Sequence, residues 1–195
     1  MSFLFHNMIQ RLSWILACTF AMLGSAAVAQ HFDQQQELHG ISFRVTSPNR
    51  AAENTVRIAP AGLQIDNSEF EVVITGVVLG AEVADINADY SPEIYIYVRE
   101  PGTQKRMSLV AFSANNKKSL SMIYLPPLSA TVGAEKGYCG NDDMAVVEGV
   151  FLYRFPLCNV GDEDTTSAAK TRQLQYKLAP GEAGWNLKLD KMLDY

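Results

Sequence analysis

Histidine and cysteine are scarce in this chain, with three of each in 195 residues. All three histidines, His6, His31 and His39, precede Ile41, where the first strong β-type run begins. A nucleophile activated by a histidine base therefore has no candidate in the region that builds the fold, and the chain is expected not to be an enzyme. The same scarcity argues against a metal site made with the cysteines, because any histidine ligand would have to come from the N-terminal segment. After Leu23 no apolar run reaches the roughly 20 residues that a membrane-spanning helix needs. Sustained helical periodicity with caps is also missing, as is any internal repeat. Basic residues are the minority, 16 against 21 acidic, for a net charge of −5. That balance disfavours nucleic acid and anionic membranes as partners and favours a basic protein. No cofactor is expected.

The N-terminus has the three parts of an export signal, spanning Met1–Ala29. A short positive region ends at Arg11, and an apolar run follows from Leu12 to Leu23, broken by Ser13 and Thr19. Small residues then close on Ala27-Val28-Ala29, an A-x-A cleavage pattern that makes Gln30 the mature start. An apolar run of about 12 residues is too short to serve as an anchor. Ile15-Leu16-Ala17-Cys18 loosely resembles a lipidation box, but cleavage after Ala29 fits better. Cleavage leaves Cys139 and Cys158, and in an oxidising compartment an isolated pair forms one disulfide. Closing a loop of about 20 residues would contribute roughly 3 kcal/mol by the chain-entropy model.

Residues 30–40 are polar and glutamine-rich and are expected to form a flexible leader. Residues 41–195 read as a single all-β domain, an antiparallel β-sandwich of two sheets, because short β-type runs alternate with turn residues. Expected strands are Ile41–Thr46, Val56–Ala59, Glu69–Gly76, Ala81–Ile86, Glu93–Arg99 and Ser108–Ala114. Ser119–Leu125, Ala145–Phe155, Gln173–Leu178 and Trp185–Leu189 complete the set. In Glu93–Arg99, Ile94, Ile96 and Val98 share one face and Tyr95 and Tyr97 the other, so both faces are candidates for burial. Leu128–Lys136 has room for one short helix.

Two stretches carry candidate sites. Asp85-x-Asn87-x-Asp89-x-Ser91-x-Glu93 sets oxygen side chains at every second position, a spacing that can wrap a hard cation such as calcium. Tyr90 stands where a glycine usually permits the sharp bend, and Ile96 stands where an EF-hand needs a glutamate. The stretch therefore reads as a tight turn ended by Pro92, with no metal site expected. The second stretch is a local basic patch of Arg99, Lys105, Arg106, Lys117 and Lys118 around one acid, Glu100. Within it Glu100-Pro101-Gly102-Thr103 fits a type II turn, so residues 100–107 should form a hairpin loop. Asp142, Asp143 and Asp162-Glu163-Asp164 read as solvated loops, with no carboxylate pairing visible for glycosidase chemistry.

Several runs resemble the periplasmic inhibitors of i-type (invertebrate-type) lysozyme. They are Ser91–Arg99, Leu109–Asn115, Lys118–Leu128, Ala145–Gly149, Arg154–Pro156, Arg172–Tyr176 and Pro180–Trp185. The likeness extends over roughly Ala81 to Tyr195. It implies a two-sheet sandwich, often paired as a homodimer, located in the periplasm and blocking the lysozyme that arrives there. It further implies that a hairpin loop enters the lysozyme cleft, with Gly102, Thr103, Lys105, Arg106 and Ser108 as the partner-binding residues. One departure stands out. Family members carry a serine and a tyrosine on that loop, whereas here Glu100 aligns with the serine and Arg106 with the tyrosine. The chain then either inhibits lysozyme through Lys105 and Arg106, or serves as an envelope structural or interaction domain that no longer binds lysozyme.

Overall fold

The computed structural model describes residues 31–50, 52–158, 170–182 and 184–195. The expected signal peptide, with Cys18, and the Asp162–Asp164 run lie outside the described residues. Among the described residues, twelve strands form two sheets. The smaller sheet holds β1 (Phe32–Leu38), β2 (Ile41–Ser47), β3 (Glu53–Ala61) and β4 (Phe70–Thr75) in chain order. The larger comprises β5 (Val77–Ala84), β6 (Glu93–Arg99), β7 (Met107–Asn115), β8 (Ser119–Tyr124), β9 (Asp143–Val147), β10 (Val150–Leu157), β11 (Lys170–Pro180) and β12 (Trp185–Asp194). Its spatial order is β5-β6-β7-β8-β12-β11-β10-β9. Among the described residues no helix is long and apolar enough to cross a membrane.

Alternation explains the layering. β2 buries every second side chain, with Ile41, Phe43 and Val45 facing inward, as a strand with one covered face must. Those residues, with Val56, Ile58 and Ile74, pack onto Ile94, Ile96 and Val98 of β6. The other face of β6 carries Tyr95 and Tyr97 into a second core with Phe151, Tyr153, Phe155, Leu174 and Leu187. β6 is thus covered on both sides, as its sequence implied, and β7 and β8 likewise contribute to both cores. The larger sheet also curls until its two edge strands touch. The Glu82 carboxylate of β5 accepts hydrogen bonds from the Tyr97 hydroxyl (2.5 Å) and from the Val146 amide of β9 (2.8 Å).

The two-sheet all-β sandwich holds, with one local exception to its antiparallel pairing, and three other expectations are corrected. The supposed flexible leader contains β1, paired with β2 from Phe32↔Ser47 to Leu38↔Ile41. Its glutamines are structural: the Gln36 side chain donates to the Ala81 carbonyl and accepts from the Val83 amide, tying β1 to β5. The exception to the antiparallel pairing is β12, which runs parallel to β8 through Trp185↔Ile123 and Asn186↔Tyr124. The run Ala145–Phe155 is a hairpin, split where Glu148 and Gly149 both take positive φ (50° and 74°), the backbone of a tight two-residue turn. Of the helix allowed in Leu128–Lys136, only a single 3-10 turn at Leu128–Ala130 forms.

Candidate functional site

The hairpin between β6 and β7 has an exposed tip and a braced base. Residues 101–106 are all exposed. The Glu100 amide donates to the Arg106 carbonyl at 3.0 Å, which closes the loop. Gly102 has φ 119°, a conformation that needs glycine. A second segment, residues 138–142, holds the loop from behind. The Asn141 amide donates to the Gln104 carbonyl (2.7 Å), and the Asp142 amide donates to the Lys105 carbonyl (3.2 Å). Gly140 makes this approach possible: at φ 87°, a Cβ there would collide with the Gln104 carbonyl oxygen.

Asp142 is the hub of the brace. Its Oδ2 accepts from the Met107 amide (2.8 Å) and from the Tyr138 and Tyr153 hydroxyls (3.0 Å each). The residue is buried, with 4% exposure, which corrects the expectation of a solvated loop. The turn after Gly140 points the carboxylate inward, at three donors. Burial raises its pKa above the usual value, and the three hydrogen bonds and Arg99 oppose that rise. Tyr138 is pushed up to about 12, mainly by burial. Its ring carries the Arg106 guanidinium 5.5 Å from the centroid, a cation–π contact. Cys139 and Cys158 are disulfide-bonded with Cα atoms 6.1 Å apart. The bridge thereby anchors the bracing segment to the end of β10.

The structure gathers some of the residues singled out in sequence and separates others. Gly102, Thr103, Lys105 and Arg106 lie together on the exposed tip, while Ser108 is half-buried in β7 opposite Val98. The basic patch does not form as a unit. Lys117 and Lys118 sit in the β7–β8 turn, at the far end of β7 from Lys105 and Arg106. Nine residues of strand at about 3.4 Å each keep the two groups roughly 30 Å apart. Sequence reasoning did not find Tyr138, Gly140 and Tyr153 as supports of the loop. The one signal available was the pair of glycines, Gly137 and Gly140, flanking Tyr138 and a disulfide cysteine.

A second constellation forms at the opposite end, in the β5–β6 loop. Carboxylate oxygens of Asp85, Asp89 and Glu93 lie within 4.8 Å of one another. Asp85 accepts from the amides of Asp89 (3.0 Å) and Tyr90 (2.9 Å), and Glu93 accepts from the Ile86 amide (3.0 Å). The sharp bend needs no glycine here, since Tyr90 itself adopts φ 63°. No family model, curated protein or solved structure matches this chain.

Proposed function

We propose that this protein is a periplasmic inhibitor of i-type lysozyme that presents the hairpin loop of residues 100–106 to the enzyme's active-site cleft. The observation that supports it is a fully exposed loop tip on a base fixed by Asn141, Asp142 and the neighbouring disulfide. A loop already held in one conformation loses less entropy on binding, which is the usual advantage of an inhibitor loop. Lysozyme clefts carry catalytic carboxylates, and a guanidinium pairs with a carboxylate through two parallel hydrogen bonds. Arg106 and Lys105 are the groups placed to make such pairs. Desolvating both cations opposes the gain, so only a well-aligned pair contributes, and truncating one partner of such a pair costs about 2–5 kcal/mol.

The test is inhibition of cell-wall lysis by an i-type lysozyme, comparing the mature protein with Lys105→Ala and Arg106→Ala. Loss of at least tenfold in the inhibition constant for either variant is expected. Unchanged inhibition in both would remove these side chains from the mechanism. The alternative, an envelope interaction domain on the same scaffold, is favoured by one feature: Arg106 replaces the family's tyrosine and rests on Tyr138. That reading predicts no inhibition by the parent protein.

A further inference from the structure

We propose that the β5–β6 loop is a calcium site, formed by the carboxylates of Asp85, Asp89 and Glu93 with the Asn87 amide oxygen beside them. The proposal stands apart from lysozyme binding, because this loop lies at the other end of β6 from the 100–106 hairpin. Three carboxylates with oxygens inside a 4.8 Å span repel one another unless a cation lies between them. The decisive residue is Glu93. It has 0% exposure, and neither its Oε1 nor the adjoining Tyr95 hydroxyl makes a well-formed hydrogen bond among the described residues. Asn87 repeats the pattern: its amide nitrogen donates to Asp89 Oδ2 (2.8 Å), which leaves its buried Oδ1 without a donor.

A buried oxygen with nothing to accept from is costly. Protonating Glu93 would relieve the repulsion but would not supply a partner for Asn87 Oδ1. A cation answers both needs. Neither basic side chain near Asp85 bonds to Glu93 or Asn87 among the described residues. His39 Nε2 lies 3.3 Å from Asp85 Oδ2, and the Lys117 ammonium is engaged by the His39 carbonyl.

The ligand set selects the ion. All the donors are oxygens, which suits a hard cation. Calcium accepts irregular sets of six to eight oxygens at 2.3–2.6 Å, so its opposite ligands stand about 5 Å apart. Magnesium demands a tighter octahedron and usually takes only one or two carboxylates. The site departs from an EF-hand because Glu93, four residues after Asp89, supplies the carboxylate that Ile96 cannot.

Chelator-treated mature protein, titrated with calcium chloride in a calorimeter and melted with and without the ion, tests the assignment. Expected are one saturable site with a submillimolar dissociation constant and a melting temperature that rises by several degrees. Asp89→Asn, at an exposed position, should weaken binding at least tenfold while leaving the fold intact by circular dichroism. Magnesium chloride should bind at least tenfold more weakly than calcium. Absence of saturable heat and of any thermal shift at millimolar calcium would overturn the site. Binding unaffected by Asp89→Asn would overturn its location, and equal affinity for magnesium would overturn the choice of ion.

Discussion

One oxygen of Asp142 receives three hydrogen bonds while the other receives none among the described residues. Truncation to Asp142→Ala would strand the Tyr153 hydroxyl, which is 6% exposed, together with the Tyr138 hydroxyl and the Met107 amide. Unfolding in urea should show a loss of about 3 kcal/mol, since a buried unpaired polar group costs roughly 1–3 kcal/mol. The pH dependence has a definite sign. Burial raises the Asp142 pKa above the usual 3.8, so its contribution to stability is fully present below that value and fades as pH rises through the folded-state pKa. Asp142→Asn stays neutral throughout and retains an acceptor oxygen. Its melting temperature should therefore gain on that of the parent as pH rises from the usual carboxylate value upward; a constant difference would contradict a raised pKa. Neither Asp142 nor Glu93 could be recognised as buried from its neighbours. Asp142 lies in a polar stretch, and Glu93 precedes a run of alternating isoleucine and tyrosine that suggests only a strand. Their burial comes from segments distant in the chain.

At the level of elements, the strands with strong apolar alternation were legible, and those held by polar side chains were not. β2, β6 and β12 carry period-two patterns that identify them as strands. β1 reads Phe-Asp-Gln-Gln-Gln-Glu-Leu, and local pattern alone makes that a tail; it becomes a strand because Gln36 finds the backbone of β5. The β8–β12 parallel pairing is equally invisible locally, since it joins segments some 60 residues apart through two pairs of residues. The disulfide is an element-scale device that sequence did reveal, though not its task. It joins residues 19 apart, and removing it with Cys139→Ser and Cys158→Ser together should cost about 3 kcal/mol by the loop-entropy estimate. Its location adds a sharper expectation. Freed from β10, the 138–142 segment should hold the hairpin less firmly, so the Asn141 and Asp142 amides should exchange hydrogen faster than those of β6. Uniform acceleration across the domain would mean that the bridge stabilises the fold without bracing the loop.

Across the whole molecule, a single carboxylate joins the two edges of the curled sheet. Glu82 on β5 accepts from the Tyr97 hydroxyl of β6 and from the Val146 amide of β9, so it fastens the first strand of the larger sheet to the last. Edge strands left open expose unpaired backbone groups that invite pairing with other chains. The seam lies against the second core, in which Tyr97 is buried at 6% exposure. Burial and the Glu82 charge both push the Tyr97 hydroxyl pKa upward, so it remains a donor across the ordinary pH range. Glu82→Ala should destabilise the protein by about 2 kcal/mol, because a buried hydroxyl loses its acceptor. Part of that cost belongs to the Tyr97 hydroxyl and part to the β9 amide, and a double-mutant cycle with Tyr97→Phe separates them. If the seam works as described, Glu82→Ala should cost less in the Tyr97→Phe background, by about 1 kcal/mol. The Val146 amide should lose protection from hydrogen exchange in both Glu82→Ala backgrounds. Strict additivity together with an unchanged Val146 exchange rate would show that packing alone holds β5 against β9.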